Sequence, residues 1–390
     1  MPAAVVIDVT GSRAAAVVVA ILLTGCTSVE GPILPEWQDR ERSAVEEQPP
    51  IVGGSYTIEP GQEVVGELQV MRTRYEDAFV DIARAYGLGY DELVAANPGV
   101  DPWIPGADTE IVLPTRYVLP QAPREGLVLN IAAKRLFYFP PMAEDEPQIV
   151  ETYPIGIGRE GWATPTGSTT VVSKARDPVW FVPASVRKEH LEAGDPLPRQ
   201  VPPGPDNPLG KYVLGLGLPG YLIHGTNKPA GVGMRVSHGC VRLFPENIES
   251  LFERVDVGTP VRIVNQPYLF ARVGDDLVFE AHVPLEDDER DWDSSAEPMA
   301  RAKMVGLADE VMSLDAERLD AIADEARGFP VSVISWRPDS GATVRAARPV
   351  INIIPRDPAD EQQLADQHVV DQNGVDQKLA EESVGDTTLN

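Results

Sequence analysis

The chain has 390 residues, a net charge of −27 and 37 prolines, and 43% of its residues are hydrophobic. This length exceeds one average domain and predicts two or three. The many prolines favour turns and strands over long helices. Nucleic-acid phosphates would repel so acidic a chain, and the sequence has no basic stripe, so nucleic acid is excluded as a partner.

The first residues of the chain have the pattern of an export signal. Arg13 precedes the apolar run Ala14–Leu23. This run is shorter than the ~20 apolar residues that span a bilayer, so it predicts a cleaved signal rather than a membrane anchor.

The end of the apolar run, Leu23-Thr24-Gly25-Cys26, resembles the lipobox of bacterial lipoproteins. That resemblance implies a lipoprotein signal peptide over residues 1–26 and a lipid on Cys26, which would hold the protein at a membrane of the periplasm or cell envelope. The alternative is a plain secretory signal with an incidental cysteine. Residues 27–50 are rich in Glu, Pro, Gln and Ser without periodicity and predict a flexible tether.

Residues 54–118 predict a small βααβ module. Its elements are expected at Tyr56–Ile58 (strand), Asp77–Ala85 (helix), Asp91 to Asn97 (helix) and Ile111–Leu113 (strand). The order resembles the LysM domain, a glycan-binding module of peptidoglycan enzymes, with the stretch Val64–Tyr75 as an insertion. A spacer that only positions the next domain is the alternative.

From Arg124 onward the pattern changes to alternating and β-branched residues. Strands are expected at Gly126–Ile131, Arg135–Phe139, Val150–Ile157 and Thr169–Ser173, with a turn at Thr164–Gly167. Short strands with turns between them predict a mostly-β, sandwich-like domain over residues 124–265, in a chain that is α+β overall. The loop-rich residues 174–212 predict a lid or substrate wall, which Trp180, Phe181 and Tyr212 would line unless they only pack.

A candidate nucleophile and a candidate base lie between Tyr221 and Leu251. Tyr221–Ile223 predicts a strand end just before His224, and the glycines between His224 and Cys240 let the chain fold back. A thiol needs a nearby base to form thiolate at neutral pH, so the two side chains are expected to meet. If Cys26 is acylated, Cys240 has no disulfide partner, which favours a reactive thiol over a buried inert one.

The motifs His224-Gly225-Thr226-Asn227 and Ser237-His238-Gly239-Cys240-Val241-Arg242 together resemble the signature of the L,D-transpeptidase (YkuD-like) catalytic domain. The resemblance implies a cysteine-dependent acyltransferase without a cofactor. It assigns Cys240 as nucleophile, His224 as general base, the Gly225 carbonyl as the group that orients His224, and Gly239 and His238 as the oxyanion hole. Arg242, Ser237 and Asn227 are its candidate substrate-binding residues, with an ion pair for Arg242 and loop hydrogen bonds for Ser237 as structural alternatives.

The same resemblance implies the substrate. The donor would be a peptidoglycan tetrapeptide stem, cleaved between meso-diaminopimelate and the terminal D-alanine. The acyl group would pass to the amine of a second stem or to a lysine of a cell-wall-anchored lipoprotein, while glycan strands would be a further partner through the LysM-like module. Transfer to water would make the protein an L,D-carboxypeptidase, and a non-catalytic peptidoglycan-binding scaffold is the competing class.

Metal binding is the rival chemistry for the same side chains. His224, His238 and Cys240 would suit a catalytic zinc ion. No fourth ligand at a matching spacing and no His-Glu-x-x-His pattern accompanies them, so we predict no metal site.

The rest of the chain carries no recognised motif. The expected segments are a helix at Pro245–Arg254, a strand at Pro260–Val264, a closing hairpin over 266–285, an acidic linker over 286–300, an α/β extension over 301–355 and a disordered acidic tail over 356–390. Within the extension, one helix is expected over Ala302–Ala326 and strands at Val331–Trp336 and Val350–Ile354.

Overall fold

A computed structural model of the chain describes residues 49–50, 52, 54–143, 146–292, 294–304 and 314–355. The predicted signal segment with Cys26, most of the tether and the acidic tail from residue 356 lie outside the described residues. In the described ranges, no helix has both the length and the apolar character needed to cross a membrane.

The secondary structure is dominated by strands. They are β1 Ser55–Ile58, β2 Val64–Gly66, β3 Gln69–Arg72, β4 Glu110–Leu113, β5 Arg116–Val118, β6 Gly126–Asn130, β7 Arg135–Phe139, β8 Gln148–Pro154, β9 Ile157–Gly158, β10 Gly167–Arg176, β11 Trp180–Phe181, β12 Gln200–Val201, β13 Tyr212–Leu216, β14 Leu222–His224, β15 Arg235–Ser237, β16 Val241–Arg242, β17 Pro260–Val264, β18 Tyr268–Val273, β19 Asp276–Ala281, β20 Val331–Ser332 and β21 Arg348–Pro349. The helices are α1 Phe79–Ala85, α2 Tyr90–Ala96, α3 Ala184–Glu192, α4 Pro245–Arg254, α5 Ala296–Met304, α6 Ala316–Glu325 and α7 Ser340–Arg345, with a 3₁₀ turn at Pro229–Gly231. The predicted mixed, mostly-sheet class is confirmed.

A nine-stranded mixed sheet forms the centre of the fold, in the order β1-β8-β7-β6-β17-β10-β13-β14-β16. Both of its faces are covered around β6 and β7. Leu127 and Leu129 belong to a core shared with α4 and β13, whereas Val128 lies in a second core with Val65 and Tyr117 from β2 and β5. Burial on both faces explains why these strands read as nearly continuous apolar runs.

The βααβ connectivity is present, but its first strand differs from the prediction. Strand β3 pairs antiparallel with β4, and α1 and α2 lie between them in the chain. The expected first strand, Tyr56–Ile58, instead pairs with β8 in the nine-stranded sheet, where Ile58 joins the core around Val150. The stretch Val64–Tyr75, interpreted as an insertion, contains β2 and β3 and so supplies the true first strand of the module.

The module packs directly against the central sheet. Glu92 of α2 forms an ion pair with the buried Arg135 of β7, with 2.6 Å between Oε2 and Nη2. The Tyr90 N–H donates to the Val232 carbonyl, and a Cβ at Gly233, whose φ is +86°, would stand 2.3 Å from the Gly89 Cα. The module therefore touches the loop that joins His224 to Cys240.

The C-terminal region folds on the predicted hairpin. Strands β18 and β19 pair as expected, and β20 adds to β19. Two helices, α5 and α6, replace the single helix expected over Ala302–Ala326, and Leu314 pairs with Ile334 in a β-bridge. The predicted strand at Val331–Trp336 is shortened to Val331–Ser332, and that at Val350–Ile354 lies earlier, at β21, which runs parallel to β3.

Candidate active site

Two adjacent parallel strands carry the candidate base and nucleophile. In the pair β14–β16, Ile223 lies opposite Val241 and His224 opposite Arg242, and Cys240 directly precedes β16. Side chains alternate between the faces of a sheet, so His224, Arg242 and Cys240 lie on one face. The structure thus brings His224 and Cys240 close together, because Cys240 lies two positions before Arg242, the residue paired with His224.

The His224 ring is buried and has a fixed tautomer. Its Nδ1 lies 2.6 Å from the Gly225 carbonyl oxygen, the contact that the family resemblance implies. A carbonyl only accepts, so Nδ1 carries the hydrogen and Nε2 of the neutral ring has a free lone pair. Burial, followed by the nearby Arg242 charge, lowers the His224 pKa to about 4 against opposing hydrogen bonds to backbone carbonyls. At neutral pH the ring is therefore a neutral base.

The Cys240 thiol is half-buried and protonated at neutral pH. Its Sγ lies 3.6 Å from the Gly220 carbonyl oxygen, to which the S–H can donate. Burial raises the pKa of Cys240, while a hydrogen bond from the Leu222 N–H and the charge of Arg242 act in the opposite direction. The resting pair is accordingly neutral thiol and neutral imidazole, and the proton must leave sulfur as sulfur attacks.

The turn Ser237–Cys240 is held by a chain of hydrogen bonds. The Ser237 hydroxyl donates to the Cys240 carbonyl at 2.6 Å and accepts from the Gly239 N–H at 3.1 Å. Thr164 Oγ1 donates to the Gly239 carbonyl at 2.9 Å and accepts from the Gly158 N–H at 3.0 Å. Gly239 has a φ of +101°, a backbone angle that residues with a side chain rarely adopt, so the turn requires glycine there. Its N–H, a predicted oxyanion donor, is engaged by Ser237.

His238 is enclosed by three side chains from two other segments. Its Nε2 lies 3.1 Å from Glu189 Oε2 and 3.3 Å from Arg159 Nη2, and its ring meets Trp162 edge-on at 4.8 Å between centroids. Burial lowers the pKa of His238 more than its hydrogen bond to Glu189 raises it. The ring is therefore neutral at neutral pH.

The predicted lid region contains a helix that sequence reasoning missed. Strands β11 and β12 pair as a small ribbon, and α3, which carries Glu189, lies between them in the chain. Phe181 is exposed, and Tyr212 bonds Glu249 and packs on Phe252, so neither of these aromatic residues is shown to line a substrate wall.

Arg242 brings a positive charge to the site. Its Nε is buried, and among the described residues no hydrogen-bond partner reaches this atom. Desolvation lowers the pKa of Arg242, and the Cys240 thiolate would raise it, so the guanidinium favours the thiolate. Asn227 is exposed at the start of the loop that leads to the 3₁₀ turn.

A cleft of about 790 Å³ adjoins the turn without containing Cys240 or His224. Its lining includes Gly158, Thr164, Arg235 and the acidic residues 287–289. Arg235 pairs with Asp287 at 3.0 Å and with Glu286. Across the described ranges, no group of three or more His, Cys, Asp or Glu side chains is arranged to hold a metal ion.

Sequence reasoning missed three residues that support the site, Thr164, Arg159 and Glu189. Thr164 stands in the Thr-Pro-Thr-Gly turn that the sequence did single out, so a signal for it existed. Arg159 and Glu189 have no motif and lie 79 and 49 residues from His238 in the chain, so only the fold brings them there.

Comparison with known proteins identifies the family of the chain. A family model for the L,D-transpeptidase catalytic domain (YkuD) matches residues 124–263. The chain is 38% identical over 291 residues to the probable L,D-transpeptidase YcfS of Escherichia coli strain K12, covering 73% of this chain and 89% of the relative. It is 36% identical over 290 residues to the probable L,D-transpeptidase ErfK/SrfK of Salmonella typhimurium, covering 73% and 92%.

A solved structure of L,D-transpeptidase 3 from Mycobacterium tuberculosis aligns with 40% of this chain and 66% of its own, at 22% identity and a TM-score of 0.26. That likeness is too low to support an argument about the site. The similarity to the two enterobacterial relatives extends well beyond the residues that the family model matches.

Proposed function

The chain belongs to the L,D-transpeptidase family with the YkuD catalytic domain, and from this premise we propose that it is a peptidoglycan L,D-transpeptidase whose nucleophile is Cys240. The observation that carries the proposal is the pairing of β14 with β16, which sets His224 and Cys240 on one face of the sheet. The donor is a tetrapeptide stem, and the bond cleaved joins meso-diaminopimelate to the terminal D-alanine.

The first half-reaction forms a thioester on Cys240. Sγ attacks the carbonyl carbon of the scissile amide while its proton passes to Nε2 of His224, the nitrogen that the bond from Nδ1 to Gly225 leaves free. Collapse of the tetrahedral intermediate breaks the C–N bond, and His224 returns the proton to the leaving D-alanine amine. In the second half-reaction, the acceptor amine attacks the thioester carbonyl carbon while Nε2 takes a proton from this amine. The C–S bond then breaks, and His224 returns that proton to Sγ, which releases the new amide and the free thiol.

The oxyanion hole is proposed at the turn before the nucleophile. The backbone N–H of Cys240 is its first donor, and the backbone N–H of His238 is the second. The Gly239 N–H can join only when it leaves the Ser237 hydroxyl that it contacts at 3.1 Å. Ser237 is therefore better described as a residue that holds the turn than as one that binds substrate.

Arg242 is proposed to bind a carboxylate of the donor stem. Its buried Nε lacks a partner among the described residues, and a carboxylate would satisfy this atom and the charge together. Asn227 is exposed at the rim and is the proposed polar contact further along the peptide.

The acceptor of the acyl group decides which reaction the enzyme catalyses. A second stem gives a cross-link, a lysine of a wall-anchored lipoprotein gives an anchored protein, and water gives an L,D-carboxypeptidase. The test mixes the chain lacking residues 1–26 with purified disaccharide-tetrapeptides and reads products by mass spectrometry, beside Cys240→Ala. Cross-linked dimers made only by the unmodified protein support transpeptidation, and tripeptides alone indicate a carboxypeptidase. No product and no carbapenem adduct on Cys240 would leave a non-catalytic scaffold.

The βααβ module is proposed to be LysM-like and to bind glycan strands. Trp103 and Ile104 are exposed in the loop between α2 and β4, and the Tyr90 ring lies 6.0 Å from that of Trp103. Exposed apolar side chains of this kind mark interaction surfaces. Trp103→Ala should weaken co-sedimentation with purified sacculi, whereas Tyr75→Ala, which removes an even more exposed aromatic residue of the module, should not. Equal binding by the two variants would favour the spacer interpretation.

The location is likewise a proposal. Cys26 and its neighbours suggest a lipid anchor that holds the enzyme in the periplasm at a membrane of the cell envelope. Palmitate labelling of the full-length protein should disappear in Cys26→Ser. Unchanged labelling would exclude Cys26 as the lipidated residue.

A further inference from the structure

Helix α3 approaches the catalytic turn through one acidic side chain, Glu189. The two carboxylate oxygens of Glu189 have different partners. Oε1 pairs with the guanidinium of Arg159, and Oε2 lies 3.1 Å from Nε2 of His238. A single side chain of the lid region thus contacts two other segments of the site.

Arg159 and Trp162 complete the surroundings of the His238 ring. The Arg159 N–H donates to the Ser237 carbonyl at 3.0 Å, so the backbone of this loop is bonded to the catalytic turn itself. The Trp162 ring lies edge-on to His238, and the Arg159 guanidinium lies 5.9 Å from the Trp162 centroid. Glu189 contacts the same His238 ring from helix α3, and His238 lies two positions before the nucleophile.

We propose that Glu189 is a positioning residue for the acyl transfer, which accepts a hydrogen bond from Nε2–H of His238 and thereby fixes the ring of His238 and docks helix α3 on the catalytic turn. The inference rests on the proposed function, since it concerns the same reaction. A carboxylate only accepts and a guanidinium only donates, and Glu189 Oε2 lies closer to Nε2 of His238, at 3.1 Å, than Arg159 Nη2 does, at 3.3 Å. The Glu189 contact therefore favours the tautomer of His238 with hydrogen on Nε2 and a free Nδ1, against the opposite preference of Arg159. The ring in turn sets the backbone that leads into Gly239 and Cys240.

Stability alone does not account for this contact. The side chains of Arg159 and Glu189 are each 38% exposed. Ion pairs this open to solvent contribute little to folding, because solvent screens them and ordering two long side chains costs entropy. The effect of removing Glu189 should therefore appear in turnover rather than in the unfolding transition.

The test compares full-length Glu189→Ala, Glu189→Gln and Glu192→Ala for kcat and KM of transpeptidation and for the tautomer of His238 by long-range ¹H–¹⁵N NMR. Glu192 is a matched control because it lies on the same helix and pairs with Lys188, at 3.8 Å, and not with the catalytic turn. Glu189→Ala should lose about tenfold in kcat, the scale of one charge-assisted hydrogen bond, with KM within about twofold. It should also lose the single Nε2–H tautomer.

The conservative variant separates positioning from mere structure. The amide oxygen of Glu189→Gln can accept the same bond, so this variant should recover the tautomer and most of the kcat, and Glu192→Ala should resemble the unmodified protein. The proposal is overturned if Glu189→Ala keeps both kcat and the Nε2–H tautomer, or if Glu192→Ala loses as much activity. If the unmodified protein makes no product, the proposed function fails, and the tautomer in Glu189→Ala still decides whether Glu189 positions His238.

Discussion

The buried ion pair between the βααβ module and the central sheet provides a quantitative test of the fold. Glu92→Ala should lower the free energy of unfolding by about 4 kcal/mol, because it leaves the charge of Arg135 buried without its counter-ion. The side chains of the two residues are 6% and 2% exposed, and burial keeps solvent from replacing the lost carboxylate.

The magnitude follows from which contacts are lost and which remain. Two charge-assisted hydrogen bonds disappear, at 2.6 and 3.1 Å, together with the bond from the Gly89 N–H to Glu92 at the start of α2. Arg135 keeps Thr152 Oγ1 at 2.9 Å and the face of the Tyr117 ring at 4.3 Å. Because these contacts remain, we expect the loss of unfolding free energy to stay within the range of about 3–5 kcal/mol that is typical when one partner of a buried ion pair is removed.

Urea titration of the full-length protein, followed by far-UV circular dichroism, measures the change. Glu246→Ala is the matched control. Arg84 and Glu246 join the same module to α4 with two similar contacts, at 2.9 and 3.0 Å, but their side chains are about half exposed. This pair should be worth less than about 1 kcal/mol. Equal losses in Glu92→Ala and Glu246→Ala would refute the argument from burial.

Three further predictions concern the site. Thr164→Val should lower kcat and reduce the unfolding free energy by about 2 kcal/mol, because buried backbone groups including the Gly239 carbonyl lose their partner; urea titration should show no such loss in the exposed Thr166→Val. His224, with a pKa of about 4 when folded, takes up its proton more readily when unfolded, so stability should fall by about 3 kcal/mol as pH drops from about 6.5 through 4. Urea midpoints should show a smaller acid loss in His224→Gln, and an equal loss would contradict this assignment. Arg242→Gln should raise KM about tenfold for the free tetrapeptide but little for one with amidated carboxyl groups, and equal increases would rule out carboxylate binding.

The two short motifs that resemble the family signature predict the reacting groups, and the structure brings these groups together through local contacts. His224 and its carbonyl partner are neighbours in the chain, and the short strands before His224 and after Cys240 follow from their apolar patterns. The strand and helix around 245–264 are found at the residues expected, since alternation and a proline at the first helical turn determine them without distant contacts.

The differences arise where distant partners decide the structure. Tyr56–Ile58 is recognisable as a strand, but its partner in β8 lies nearly a hundred residues away, so the pattern alone does not assign it to a sheet. Helix α3 follows Pro183 in a segment rich in proline and carries little amphipathic signal. Its role depends on Glu189 meeting His238, which no local spacing encodes.

The parallel pairing of β21 with β3 bears on the order of folding. Arg348 lies opposite Gln69, and Val350 completes the core around Phe79 and Ile82. These partners lie about 280 positions apart in the chain, and contacts of such long sequence separation form slowly. The edge of β3 therefore stays unpaired during synthesis until residues 348–349 have been added to the chain. An unpaired edge strand can pair with the strand of another chain, so this edge is an aggregation risk while the protein folds.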